Sequence, residues 1–132
     1  MFKQLNIKTK KKVELIDITS KIKKIVKDSE INNGLLQINV PHTTAAVTIN
    51  ENADPSVKED IIMQLNKIIP FNDNYKHFEG NSAAHIKSSI IGSNETLIID
   101  NSHLKLGRWQ GIIFCEFDGA RTRKLNVMLI EN

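Results

Sequence analysis

The chain has 132 residues, 40% of them hydrophobic and 25% charged, with a formal net charge of +3. That length suits one domain over residues 1–132, large enough to bury a core without disulfide or metal staples, and the composition is that of a globular rather than a disordered chain. One cysteine, Cys115, excludes an intrachain disulfide, and no apolar stretch approaches the ~20 residues of a membrane span.

In chain order, "FKQLNIKT" and "KVELIDIT" alternate well enough to be strands, and the lysine run between them reads as a hairpin turn. The same N-terminal stretch lacks the apolar core of a signal peptide, so a cytoplasmic location is expected. Ile18, Ile22, Ile25 and Val26 fall at helical spacing, with Asp17 or Thr19 as N-cap and a stop before Asn33 and Gly34, which suit a turn or a C-cap. The lysines of residues 8–12 and 21–27 read as solvated turn and helix faces. With only 5% aromatic residues and no recognition motif, neither nucleic acid nor membrane is expected as a partner.

"LLQINVP" and "AAVTIN" are two further strands, and Pro41 makes the backbone irregular at His42. "DPSVKEDIIMQLNKII" is the clearest helix: Asp54 caps it, Pro55 takes the first helical position, and Val57, Ile61, Ile62, Leu65 and Ile68 form the apolar stripe. A polar loop, "PFNDNYKHFEGNS", leads to a short helix over Ser82–Ile91 closed by Gly92. "ETLIID", "WQGIIFCEF" and "RKLNVMLIE" are strands, with Asp118 and Gly119 as a hairpin turn and the last two strands apolar enough to be covered on both faces. The pattern predicts an α+β fold: a mainly antiparallel β-sheet or sandwich with two to three short helices.

His42, His77 and His85 sit in irregular or terminal segments among Asn, Glu, Asp and Thr, side chains able to orient a ring nitrogen for catalysis or metal binding. No HExxH or paired CxxC spacing marks a zinc site, and there is no phosphate-binding loop or GxSxG elbow. Glu51, Asn52 and Asp54 precede a helix and either face a cation or cap it. Asn81 and Lys87 near His85 suit a phosphate or another oxyanion. Arg121 and Arg123, two apart, share a face if the strand has begun, and either clamp a phosphate or pair with Glu116 and Asp118. Trp109 and Gln110 form a pocket wall or a structural plug. His103 reads as a surface residue, and Cys115 as a small buried hydrophobe.

"HTTAAVTINENADPSV", "HFEGNSAAHIKSSIIG" and "LKLGRWQGIIFCEFDGARTR", in that order and spacing, resemble the YjbQ family, also called UPF0047, over essentially the whole chain. The resemblance implies a compact α+β homotrimer with a polar cleft near its subunit contacts. It also implies the weak activity for which members are called secondary thiamine-phosphate synthases. By motif it carries over His42, His77 and His85, the polar block of Glu51, Asn52 and Asp54, the Trp109–Gln110 pair, and Glu116, Asp118, Arg121 and Arg123. Two departures, Arg108 where a small residue is usual and His103 where glycine is common, would narrow or recharge a pocket mouth.

Three readings follow. In the first, a pyrimidine pyrophosphate is joined to a thiazole phosphate: Arg121, Arg123 and Lys87 hold the leaving pyrophosphate, and magnesium sits on Glu51, Asp54 or the histidines. In the second, His42, His77 and His85 bind zinc or another transition metal in a hydrolase or lyase with Glu51 as general base. In the third, a trimer binds a phosphorylated small molecule without turnover. Thr43, Thr44, Asn52, Asn81, Trp109 and Gln110 are the further ligand-binding candidates. An extended strand would put His42 and Asn52 roughly 30 Å apart at ~3.3 Å per residue. Either the chain bends at residues 41–44, or two subunits complete one site.

Overall fold

A computed structural model describes residues 1–132 as eight strands and three helices. In chain order these are β1 (Phe2–Lys8), β2 (Glu14–Asp17), α1 (Thr19–Ser29), β3 (Gly34–Asn39), β4 (Ala45–Glu51), α2 (Pro55–Ile68), α3 (Ser82–Ile91), β5 (Asn94–Asp100), β6 (His103–Leu104), β7 (Gln110–Glu116) and β8 (Thr122–Glu131). The strands form two antiparallel sheets, one of five strands in the order β1-β8-β3-β5-β6 and one of three in the order β2-β7-β4. This is the α+β architecture expected of the sequence.

The pairing of neighbours differs from expectation. β1 and β2 are not a hairpin: β1 pairs with β8 and β2 with β7, in different sheets. The turn at Asp118 and Gly119 is likewise a crossover, since β7 belongs to the three-stranded sheet and β8 to the five-stranded one. Residues 41–44 make a third such passage, from β3 to β4. At each passage the backbone leaves one ladder before joining another. Its polar groups therefore need partners other than a sheet neighbour.

Two apolar clusters explain the layering. The larger joins the inner face of the five-stranded sheet (Leu36, Ile38, Leu125, Val127), α1 (Ile22, Ile25, Val26) and one face of the three-stranded sheet (Val47, Ile112, Phe114). The smaller joins the opposite face of that sheet (Ala46, Ile113, Cys115, Phe117) to α2 and α3 through Leu65, Ile69, Ala83 and Ala84. β7 is thus covered on both faces, and all of Gly111–Glu116 is buried. β8 is not: it alternates, with Met128 and Ile130 exposed on the outer side. Burial pushes the Cys115 thiol up to about 12, as befits a packed hydrophobe.

The helix termini follow local chemistry. Asp17 accepts the Thr19 N–H at 2.9 Å at the start of α1, and the helix stops at Glu30, which takes a left-handed conformation with φ 60°. Asp54 accepts the Ser56 N–H at 2.9 Å, with Pro55 in the first turn of α2. In α2 the apolar stripe shifts by one residue, with Ile68 exposed and Ile69 buried. α3 spans Ser82–Ile91 and ends at Gly92, whose φ is 99°.

Gly34 does not cap α1; it opens β3, where its Cα lies against β8. A Cβ there would run into the Ile130 carbonyl oxygen and crowd Glu131. Because the obstacle is backbone in a paired ladder, Gly34→Ala should cost about 1–3 kcal/mol of overpacking strain. The check is the urea midpoint at unchanged m; an unshifted midpoint would show that the two strands can part without cost.

Candidate functional site: a polar cleft at the sheet crossovers

Two of the crossovers meet the start of α3. Between them lies a cleft of about 790 Å³ lined by ten residues, none hydrophobic, among them His42, Thr43, Thr44, Asn81, His85, Arg121 and Arg123. These side chains come from the β3–β4 crossover, the β7–β8 crossover with the start of β8, and α3 with the residue that precedes it, so the site forms where the chain changes sheets.

A buried ion pair anchors it. Arg123 is 2% exposed and Glu116 is fully buried. Arg123 Nε donates to Glu116 Oε1 at 2.9 Å, and Nη2 donates both to Glu116 Oε2 and to Thr44 Oγ1, the latter at 2.8 Å. The carboxylate also accepts the Thr9 hydroxyl at 2.8 Å and the Asp118 N–H at 3.1 Å. Such saturation is what makes a buried pair tolerable, because each charge has lost its water. Arg123 Nη1 takes no part in this network and is left for the cleft that Arg123 lines.

Arg121 is held differently. Its Nε donates to the Asp118 carbonyl at 2.9 Å and Nη2 to Asp118 Oδ2 at 3.2 Å. Asn81 Nδ2 donates to the same Oδ2 at 3.1 Å, while Asn81 Oδ1 is buried without a partner. Both arginines are therefore paired with acids, and excess positive charge does not define the cleft. It offers directed donors: Arg123 Nη1, Arg121, and the first-turn N–H groups of α3, which receive no side-chain cap.

His42 Nε2 accepts the Lys124 N–H at 2.8 Å. The acceptor role requires Nε2 to be unprotonated, so a neutral His42 carries its proton on Nδ1. Burial, followed by the neighbouring Arg123 guanidinium, holds its pKa below the ordinary 6.5. Between the lowered value and 6.5 the unfolded chain binds a proton that the folded chain refuses. The stability His42 contributes is thus present above pH 6.5 and lost as pH falls through that window. The His42 ring should titrate by NMR with a midpoint below 6.5; one at or above it would contradict the Lys124 bond.

His85, from the second turn of α3, also lines the cleft, and its ring meets that of His77 edge-on with centroids 5.4 Å apart. His77 is half-exposed, lies 3.8 Å from Glu79, and borders a neighbouring hollow with Tyr75 and Ser82. The three histidines therefore do not converge on one point. No group of three or more His, Cys, Asp or Glu side chains is placed to hold a metal ion, and His42 Nε2 is already engaged. Within one chain the expected three-histidine ligand set for zinc or another transition metal is not assembled, and Glu51, expected to help hold magnesium, pairs with Gln110 at the far end of β4 from the cleft.

Other expected residues lie elsewhere. Lys87 is fully buried and turned toward α2, with Nζ 2.5 Å from Asn66 Oδ1 and 4.3 Å from the Phe71 ring centre. It does not line the cleft. Glu51, Asn52, Trp109 and Gln110 sit at the opposite end of β4 and β7, where Glu51 pairs with Gln110. β4 runs extended between the two ends, so the chain does not bend to join them. Asn52 Nδ2 donates to Asp17 Oδ2 at 3.1 Å and packs where Gly111 has no side chain, which makes it a tie between the end of β4 and the end of β2. Trp109 is 55% exposed with the Arg108 guanidinium 4.8 Å from its ring centre. Glu79 lines the cleft and went unread in the sequence, although it lies between His77 and Asn81.

The family model described as UPF0047 protein YjbQ-like matches residues 3–132. A UPF0047 protein of Methanocaldococcus jannaschii is 53% identical over 98% of this chain and 94% of its own length. The UPF0047 protein YugU of Bacillus subtilis is 47% identical over 98% and 99%. Among solved structures, an uncharacterised YjbQ/UPF0047 protein of Clostridium acetobutylicum superposes with a TM-score of 0.94 at 51% identity, covering 96% of this chain and 98% of that one. A YbjQ-like protein of unknown function from Sulfolobus solfataricus superposes at 0.96 with 30% identity, covering 100% and 97%.

Proposed function

The chain belongs to the UPF0047, YjbQ-like family, and from that premise we propose that its polar cleft binds a phosphorylated small molecule and slowly catalyses thiamine-phosphate-synthase-type coupling. One observation carries the reading: a guanidinium held rigid by a buried carboxylate, with one nitrogen left over, in a cleft without a hydrophobic lining residue. Such a fixed donor suits a phosphoryl oxygen.

In the coupling, the thiazole nitrogen supplies the electron pair for a new C–N bond to the pyrimidine methylene carbon. The C–O bond to pyrophosphate breaks, and its electrons leave on the pyrophosphate oxygen; nothing is oxidised or reduced. Arg123 Nη1, Arg121 and the α3 N-terminus take the growing negative charge. His42, donating from Nδ1, is assigned as a binding group, because its Nε2 is occupied by Lys124 and cannot act as a base. His85, whose ring makes no hydrogen bond within the chain, is the group assigned to the leaving oxygen. Zinc has no role in this account, since no three-residue ligand set is assembled within one chain, and every role above is given to the chain's own residues.

The homotrimer is part of the proposal. What supports it is exposed apolar surface on the outer side of the five-stranded sheet, at Leu35, Ile98 and Ile130. Exposed Trp109 at the far end of β7 adds to this, and in an oligomer the Glu51–Gln110 end of one subunit could complete the cleft of another. Light scattering gives the mass directly.

The test is pyrophosphate release from a pyrimidine pyrophosphate with and without the thiazole phosphate. Release that depends on both substrates is expected. Binding of either substrate without release would favour a non-catalytic phosphometabolite-binding protein, and no binding would remove both readings.

A further inference from the structure

On the opposite side of the larger apolar cluster from α3, helix α1 faces the turn between β5 and β6. Asp100 pairs with His103 across a two-residue turn, and both central residues, Asn101 (φ 51°) and Ser102 (φ 65°), are left-handed. That is the backbone of a tight type I′ hairpin. Asn32 and Asn33 hold it: the Ser102 N–H donates to the Asn32 carbonyl at 2.8 Å and the Asn101 N–H to Asn33 Oδ1 at 3.1 Å. The turn is thereby pinned to the chain that leaves α1, and its distance from the helix is set.

Between them lies a cavity of about 510 Å³ lined by Lys23, Val26, Lys27, Ser102, His103 and Leu104. Lys23 and Lys27 stand one helical turn apart on the same face. Neither forms an ion pair; of the acids nearby, Asp28 pairs with Lys24 at 2.7 Å and Asp100 with Lys105 at 3.6 Å, while Glu30, at the end of α1, does not line the cavity. No carboxylate lines the cavity. Val26 is buried in the larger cluster and Leu104 packs against it, which gives the cavity an apolar wall beneath a cationic rim. His103 Nδ1 lies 2.6 Å from the Asn101 carbonyl; a carbonyl can only accept, so Nδ1 carries a proton and Nε2 is the remaining polar atom of the ring.

We propose that this cavity is a second binding site, independent of the polar cleft, for a small organic carboxylate with a short apolar tail. Its carboxylate pairs with Lys23 and Lys27, and its tail lies on Val26 and Leu104. The volume is within the range of small-molecule pockets, roughly 300–1,000 Å³. Two adjacent ammoniums without a counter-ion select an anion, and the apolar wall selects one that is more than a bare ion.

Hexanoate and acetate, titrated separately into ¹⁵N-labelled protein, test this. Saturable hexanoate-dependent shifts at residues 23–27 and 101–104 are expected, with acetate at least about ten-fold weaker, since each buried methylene contributes about 0.8 kcal/mol. The double variant Lys23→Ala, Lys27→Ala, which alters only exposed side chains, should lose the shifts while retaining the native spectrum elsewhere. Three results would overturn the proposal: no saturable shift at these residues, acetate binding as well as hexanoate, or hexanoate binding that survives the double variant. Pyrophosphate binding at the polar cleft is read from other residues, so the two proposals stand or fall separately.

Discussion

Glu116→Ala should destabilise the protein by about 3–5 kcal/mol, the largest stability loss expected of a single polar substitution here. The substitution leaves Arg123, 2% exposed, with a buried charge and no acid to balance it, and takes away the acceptor of the Asp118 N–H, while the Thr9 hydroxyl falls back on the Arg121 carbonyl at 2.9 Å. A urea titration reads the loss, and one below about 1 kcal/mol would show that Arg123 reaches water. The paired replacement Glu116→Leu, Arg123→Met removes both charges together and should recover most of the stability, because a buried ion pair often contributes little net of its desolvation. That double variant separates folding from function: it should fold and yet lose phosphoryl binding.

His85→Ala should lower kcat of the coupling by on the order of 10²-fold, the usual consequence of removing one directed donor to developing charge. Substrate affinity should change far less, because Arg123, Arg121 and His42 remain. The KM-against-kcat split is the measurement. Loss confined to KM would make His85 a binding group only, and an unchanged kcat would remove it from the chemistry. His42→Ala is the contrasting case: losing a donor used in both ground and transition states should appear mainly in KM.

The elements of this fold are readable in the sequence and their partners are not. Asp54 with Pro55 marks the start of α2, and Gly92 marks the end of α3, because capping and left-handed conformations depend on a few adjacent residues. The hairpins expected at the lysine run and at Asp118–Gly119 fail for one reason. Turn chemistry states that the chain reverses; whether it re-enters the same sheet depends on contacts distant in sequence, such as Phe2 with Met128. The alternation of β8 against the full burial of β7 becomes intelligible only once sheet and helices are seen on either side of β7.

The candidate site divides in the same way. His42, Thr43, Thr44, Asn81, His85, Arg121 and Arg123 come together because two crossovers and one helix start happen to meet. Lys87 stays out of the cleft because two residues beyond His85 on a helix is about 200° round, on the opposite face, which here packs on α2 and Phe71. Glu51, Asn52, Trp109 and Gln110 share a polar character with the cleft but are separated from it by the length of β4. For Arg121 and Arg123 the choice between phosphate clamp and salt bridge resolves in geometry. Both are salt-bridged, and the donors we assign to a ligand are those these pairs leave over, Arg123 Nη1 foremost.

Titration of pyrophosphate into ¹⁵N-labelled protein, followed at backbone amides and at the arginine Nε resonances, tests the central claim most directly. Saturable shifts confined to residues 42–44, 81–85 and 118–124, with Arg123 Nε among them and all abolished by Glu116→Leu, Arg123→Met, are the predicted result. Saturable binding whose shifts fall outside these segments, or no saturable binding, would contradict it.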